Sequence, residues 1–453
     1  MKILNKVALQ ITASPFVGLA LALAFTQPAI AESPNAVSIA ASSPDQVAVQ
    51  SAGTRSLLQP PAGMRLLHDN GQPDGVEGLS HFEGSVSGDA YDRVIVDDFV
   101  LGSDSLVGGA RICGIWFDST GCETTFDGFR IRFFADDEGE PVAADPFFDT
   151  TATASCEETG ASHFDRPEVC YTATFDGPAL AAGETHWLGM QATGTLDNFF
   201  HLTSGTGLDN LIGAQAHLQG NYSTTYPPPE WAPIDEEFSD AHDLTFQLFG
   251  FPAIWDNGRP DGEEGLSNFE GVISEDEFDR KVADDFSVAG VVSSIRGVQA
   301  CGVWFDSAGC STAFDALEVR VYADDAGSPV ADDPFFHEQG EPHCRETGDT
   351  YFSGRPEVCY SLHIDMQPIA TDDTNWIVIR PIGTTDNFFQ LTSATGSEEL
   401  TLAPCHVQGN FDPEVSPPDW AECVERFAEN HDASFRLFGP SDQLFQDRFE
   451  ATP

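Results

Sequence analysis

The segment Asp69-Asn70-Gly71-Gln72-Pro73-Asp74-Gly75-Val76-Glu77-Gly78-Leu79-Ser80 returns as Asp256-Asn257-Gly258-Arg259-Pro260-Asp261-Gly262-Glu263-Glu264-Gly265-Leu266-Ser267, an offset of 187 residues. Later landmarks return in the same order, among them His217-Leu218-Gln219-Gly220-Asn221 as His406-Val407-Gln408-Gly409-Asn410. A period this long exceeds any solenoid unit and matches a duplicated domain. It predicts one repeat over residues 66–250 and a second over 251–439. Phe249-Gly250-Phe251-Pro252-Ala253 reads as a short join that lets two separate domains touch.

Within each copy the hydrophobic period is that of strands. Phe129-Arg130-Ile131-Arg132-Phe133 and Leu317-Glu318-Val319-Arg320-Val321 alternate apolar and charged residues, which puts one row in a core and the other in water. Asp- and Gly-rich reversals follow both. No amphipathic stretch has convincing helical length. The fold class expected is all-β: two tandem antiparallel β-sandwiches of jelly-roll type. Trp116, Trp304, Trp187 and Trp376 lie inside strand patterns and read as core, and Asp197-Asn198-Phe199-Phe200 as a turn entering a buried strand.

Charge and the N-terminus narrow the setting. Lys2 and Lys6, the apolar stretch Val17 to Phe25 and Ala29-Ile30-Ala31 read as a secretory signal peptide over 1–31, followed by a flexible leader over 32–65. No later stretch is apolar enough to cross a membrane, so an exported chain, extracellular or periplasmic, is expected. With 20 basic and 73 acidic residues the net charge is −53, and nucleic acid is excluded as a partner because phosphate binding needs a basic surface. An acidic surface suits saline surroundings, and clustered carboxylates also suit Ca²⁺.

Ten cysteines in an exported chain read as disulfides. Cys113, Cys122, Cys156 and Cys170 match Cys301, Cys310, Cys344 and Cys359. Cys405 and Cys423 have no counterpart, since Ala216 and Ile234 stand in their places. Two cysteines gained together predict a bond between them. For the other four three connectivities are open, and the simplest joins Cys113 to Cys122 and Cys156 to Cys170, with Cys301 to Cys310 and Cys344 to Cys359.

The words Asp256-Asn257-Gly258, Ala283-Asp284-Asp285-Phe286 and Phe435-Arg436-Leu437-Phe438-Gly439 resemble those of a loose group of exported bacterial β-sandwich domains. The first copy carries Val96-Asp97-Asp98-Phe99 and Phe246-Gln247-Leu248-Phe249-Gly250 in the matching places. The resemblance implies the fold and export and no established activity. Leu444-Phe445-Gln446-Asp447-Arg448-Phe449-Glu450, in a tail over 440–453, is similar to the ending of some exported gammaproteobacterial proteins, with Arg448 where that ending has Gly.

Calcium is the cofactor expected, as a structural ion at the Asp-Asn-Gly loops. Hard Ca²⁺ takes roughly six to eight oxygen ligands, and Asp69, Asn70, Asp74 and Glu77 supply several, as do Asp256, Asn257, Asp261 and Glu264. Both copies keep these carboxylates while neighbours drift, as Gln72 against Arg259 and Val76 against Glu263. Asp243 and Asp432 are expected close to the loops. The alternative is an Asx turn in which the side chains cap their own backbone. Asp97-Asp98 and Asp284-Asp285 are adjacent on strands, so their carboxyls point to opposite faces and cannot flank one bond; one is expected to support a metal or loop, the other to face water. His217, His406, His242 and His431, retained in both copies, read as structural. Trp231 and Trp420 follow proline runs in loops and are the candidate ligand platforms for a sugar ring, against the commoner outcome of packing on the sandwich edge. No catalytic motif is present. The function expected is a non-enzymatic exported module binding a surface, a glycan or an extracellular protein, with a secreted hydrolase of unrecognised site as the alternative.

Overall fold

The computed structural model describes residues 59–440 apart from 119–120, 144, 206–212, 222–225, 239, 289–293, 306–308, 331–332, 370–372, 394–401, 411–414 and 426–430. The signal peptide, the leader to residue 58 and the tail beyond residue 440 lie outside the described residues. The fold is all-β. Its only helical pieces among the described residues are three-residue 3-10 turns, such as Gly121–Glu123 and Gly309–Ser311.

Two layers form around the core of each repeat. In the first, Ala232–Pro233, His217–Gly220, Asp89–Val100, Phe82–Val86, Thr185–Thr195, Gly128–Asp137 and Glu140–Pro141 make one sheet, with Phe148–Ala152 on Gly128–Asp137. Leu188, Met190, Ile131 and Phe133 of that sheet pack with Val107, Ile112, Trp116 and Tyr171 of the other layer. The second repeat repeats the plan, with Val319, Ile377 and Ile379 against Val298, Trp304 and Tyr360. Alternation dictates these rows, since successive side chains leave a strand on opposite faces. The four core tryptophans are buried as expected. Trp116 and Trp304 donate Nε1–H to the Tyr171 and Tyr360 hydroxyls at 2.9 and 2.8 Å, which satisfies the one polar atom each ring carries inward. The expected buried strand after Asp197-Asn198 is Phe199–Ser204.

The join is not a linker. Phe249 to Ala253 lie inside one eleven-residue strand, Phe246–Asp256. Its first part pairs with Ser105–Trp116 of the first repeat, Phe246 opposite Ile112 through Pro252 opposite Ser105. Its last part pairs with Phe435–Phe438 of the second, Ala253 opposite Phe438. The second layers of both repeats thereby fuse into one 14-stranded sheet. Leu106, Ala179, Phe251 and Phe438 form an apolar cluster at this junction. A Cβ on Gly297 would meet Leu106 Cδ2 at 2.1 Å, so the Leu106 side chain of the first repeat packs directly on the glycine backbone there. Arg345 of the second repeat donates to Glu184 of the first at 2.5 Å, and the Ala179 N–H to Ser361 Oγ at 3.3 Å.

Disulfides correct the simplest pairing. Cys113 bonds Cys170 and Cys122 bonds Cys156; Cys301 bonds Cys359 and Cys310 bonds Cys344. Cys113 and Cys170 are direct partners across antiparallel neighbours, Ser105–Trp116 and Arg166–Thr174, as are Cys301 and Cys359. Chain proximity lost to cross-strand proximity. Cys405 bonds Cys423, as their joint presence predicts. Five disulfides fit folding in an oxidising environment. No helix among the described residues is long and apolar enough to cross a membrane.

Candidate functional site

The Asp-Asn-Gly loops are tight turns that spend their oxygens locally. Asp69 Oδ1 accepts the Gly71 N–H at 3.0 Å and Oδ2 accepts Gln247 Nε2 at 3.0 Å. Asp74 Oδ1 accepts the Val76 N–H at 2.8 Å and the Thr203 hydroxyl at 2.6 Å. In the second copy Asp256 caps Gly258, and Asp261 accepts from Glu263 N–H and Thr392. Asn70 and Asn257 are fully buried clamps. Each donates Nδ2–H to the first aspartate of the paired acids, Asp97 or Asp284, at 2.8 Å, and to the Leu244 or Ala433 carbonyl at 3.1 Å. Burial raises the pKa of Glu77, aided by Asp240 and Asp74 and opposed by His242.

Among the described residues, neither Asp69, Asp74 and Glu77 nor Asp256, Asp261 and Glu264 bring three ligand atoms within 4.8 Å of one another. Among the described residues, the sets of three His, Cys, Asp or Glu with ligand atoms within 4.8 Å of one another are Cys113, Glu168, Cys170 and Cys301, Glu357, Cys359, whose sulfurs are in disulfides. With the loop oxygens committed in this way, EGTA and excess calcium at fixed ionic strength are expected to give the same melting temperature. A fall of several degrees on chelation, removed by Asp74→Ala with Asp261→Ala, would put an ion at the loops.

Asp243 does join these loops, because Leu244 supplies both a carbonyl to Asn70 and an N–H to Asp97 Oδ2 at 2.6 Å. The paired acids depart from expectation: neither faces water. Asp97 and Asp98 are 0% and 4% exposed, and Asp284 and Asp285 both 1%. Asp98 points to the opposite side from Asp97, as strand geometry requires, but Gly213 and Ala214 cover it, with Ala214 N–H on Oδ1 at 3.0 Å. Burial, and then the charge of Asp243, push Asp97 well above the usual carboxylate range. Burial raises Asp98 to about 7 against the Ala214 hydrogen bond, and Asp285 to about 7 against that of Ala403.

Trp231 and Trp420 are half-buried rather than open platforms. Their rings pack edge-on against Phe134 at 5.1 Å and Tyr322 at 5.6 Å. His217 and His406 pack on Trp187 and Trp376 at 5.0 and 4.7 Å, with Nδ1 at the Gln215 and Pro404 carbonyls. His242 and His431 are buried.

The sequence reading missed a cleft of about 160 Å³ at the repeat junction. Its floor is the outer face of the 14-stranded sheet, where Gln299 lies opposite Arg436, and Cys301 opposite Cys359, which in turn lies opposite Arg345. Ala179, Ala181 and Glu184 of the first repeat close one side; Arg259, Pro260 and Tyr351 of the second line the other. A Cβ on Gly262 would lie 2.4 Å from the Tyr351 ring, so glycine in its left-handed conformation (φ +75°) makes room for that ring.

Three arginines line this cleft in a chain with 20 basic residues in all. Arg345 is anchored by Glu184, and Arg436 lies 3.1 Å from both Asp104 and Asp256. Arg259 is exposed and, among the described residues, has no carboxylate within ion-pair distance. Of the acids lining the cleft, Glu184 is paired with Arg345, Asp349 is exposed and Glu357 is buried. Burial raises the pKa of Glu357, against a hydrogen bond from Thr347. The corresponding positions of the first repeat hold Gln72, Glu157 and Gln247, and there Glu157 pairs with Arg111. The signal available in the sequence was this set of differences between copies, spread over three distant segments. Comparison with known protein families, curated proteins and solved structures finds no match for the chain.

Proposed function

We propose that the chain is an exported, non-enzymatic binding module that holds its ligand in the cleft between the repeats. The observation that supports this reading is that the cleft lined by both copies holds Arg259, Arg345 and Arg436 where the first copy has Gln72, Glu157 and Gln247, with the reverse difference at Gln299, which matches Arg111. Structural duplication explains shared residues such as Asn70 and Asn257. It does not explain why Arg259, Arg345 and Arg436 stand where the first copy has Gln72, Glu157 and Gln247 in so acidic a chain. A mostly pre-formed concave site with a few convergent polar groups is what ligand recognition uses.

Asp97 and Asp98 are buried and do not line the cleft, which supports binding over catalysis by paired aspartates. A glycan array and a panel of hydrolase substrates, applied to one disulfide-intact preparation, test the reading. Binding that the doubly substituted Arg259→Gln, Arg436→Gln protein loses is expected, with no turnover. Turnover above background, or binding that the double variant retains, would overturn it.

A further inference from the structure

We infer that the cleft recognises a carboxylate carried on a ring-sized unit, the chemistry of a uronic-acid residue in an anionic polysaccharide. This rests on the cleft being the binding site. Three features of the site converge on that ligand class.

Size sets the first limit. A cavity of about 160 Å³ is close to the roughly 150 Å³ of an apolar cavity that takes up one benzene molecule, which suits the entry of one ring.

Charge sets the second. A guanidinium presents a planar fork of donors that meets a carboxylate with two parallel hydrogen bonds. Arg345 and Arg436 are held in place by carboxylates, Glu184 for the one and Asp104 and Asp256 for the other. Arg259 is the group left to meet a ligand charge. Of the carboxylates that line the cleft, Glu184 is paired to Arg345, Glu357 is buried with a raised pKa, and Asp349 is exposed. A ligand anion therefore finds at Arg259 an unpaired cation, in a protein whose remaining surface repels it.

The third feature is the wall. Tyr351 is fixed over Gly262 and offers a ring to the cleft beside Pro260, and flat aromatic and prolyl surfaces suit the apolar face of a sugar. The first repeat has His163 in place of Tyr351, hydrogen-bonded to Glu168 at 2.5 Å. The repeat that gained the arginines thus also carries the ring.

Calorimetric titration with an oligogalacturonate, the matched neutral galactose oligomer and an acidic peptide with a free C-terminus tests the inference. The full disulfide-bonded chain is compared with Arg259→Gln and Tyr351→Leu. Arg259→Gln restores the residue of the first repeat at an exposed position, so the fold should be kept. The expected result is oligogalacturonate binding that Arg259→Gln weakens roughly tenfold or more, as loss of a charged hydrogen bond implies, and that added salt also weakens. Equal binding of the neutral oligomer, sensitive to Tyr351→Leu and indifferent to Arg259→Gln, would overturn the anionic class and leave the cleft standing. Preference for the peptide would also overturn the class. Binding indifferent to both substitutions would overturn the inference and the cleft together, and so would absence of binding by all three probes.

Discussion

Replacing Arg380 with Met should destabilise the protein by about 3–5 kcal/mol, the usual cost of removing one partner from a buried ion pair. Arg380 is 0% exposed and bonds three carboxylates: Glu318 at 2.8 Å, Glu270 at 2.7 Å and Asp279 at 2.5 Å. Glu318 is itself 1% exposed. Burial works against its charged form, but Arg380 and Arg320 outweigh burial and hold its pKa near 2. Without Arg380 that charge stays buried with Arg320 at 2.8 Å and His337 at 2.9 Å as its remaining ionic contacts. Removing both charges, with Arg380→Met and Glu318→Leu together, should cost less than Arg380→Met alone, because no orphaned charge is left. Urea unfolding midpoints at constant m measure both. A double variant less stable than the single one would mean that the network stabilises the fold in its own right. The first repeat solves the same position differently: Gln191 replaces Arg380, donating to Asp92 at 2.8 Å and to the Arg93 carbonyl at 2.9 Å.

The contribution of Asp98 and Asp285 to stability should fall as pH rises from about 4 to about 7. It runs in the same direction as that of the buried Asp97 and Asp284, and against the opposite slope of His186 and His201, whose pKa burial lowers to about 4. Asp98→Asn with Asp285→Asn should remove the part due to Asp98 and Asp285. The unfolded pKa of these groups is 3.8 and the folded value about 7 in each copy. Between those values the folded chain keeps protons that the unfolded chain has released, so the contribution is complete below pH 3.8 and lost by about pH 7. At ~1.36 kcal/mol per pKa unit the effect is at most about 4 kcal/mol per site. Glu318 has the opposite sign: its folded pKa lies below the unfolded 4.5, so its contribution is present above that pH and lost as pH falls toward 2. Self-repulsion of a chain at −53 would also weaken the fold at high pH, which is why the variant matters. An asparagine can still accept the Ala214 or Ala403 N–H. The double variant should therefore melt higher than the parent at pH 8 and alike at pH 4.5. Lower melting at both pH values would mean that the aspartates are needed charged.

Much of the architecture was legible. Strand periodicity in Phe129–Phe133 and Leu317–Val321 marks core rows because alternation is a local property of the chain. The Cys405–Cys423 bond could be read because the two copies act as an internal control. The Asx turns at Asp69 and Asp74 were available as an alternative for the same local reason, since an aspartate reaches an N–H two residues ahead whatever the rest of the fold does. Arg259 was read as drift beside retained carboxylates. In the structure the retained residues build turns, and the drifting one faces the cleft.

What the sequence determined by itself is the duplication, the all-β class, the buried tryptophans and the joint gain of two cysteines, all of which follow from spacing along the chain. Tertiary structure alone decided the rest. Cys113 meets Cys170 because Ser105–Trp116 neighbours Arg166–Thr174, and nothing within either segment specifies its neighbour. Asp98 is buried because a segment more than a hundred residues later in the chain lies over it. The junction became one strand because Phe246–Asp256 found pairing partners in both repeats, which joined two predicted domains into a continuous sheet and placed Arg259, Arg345 and Arg436 around one cleft. Pairing across strands joins residues by space and not by order, and that is the information a single chain read from end to end does not carry.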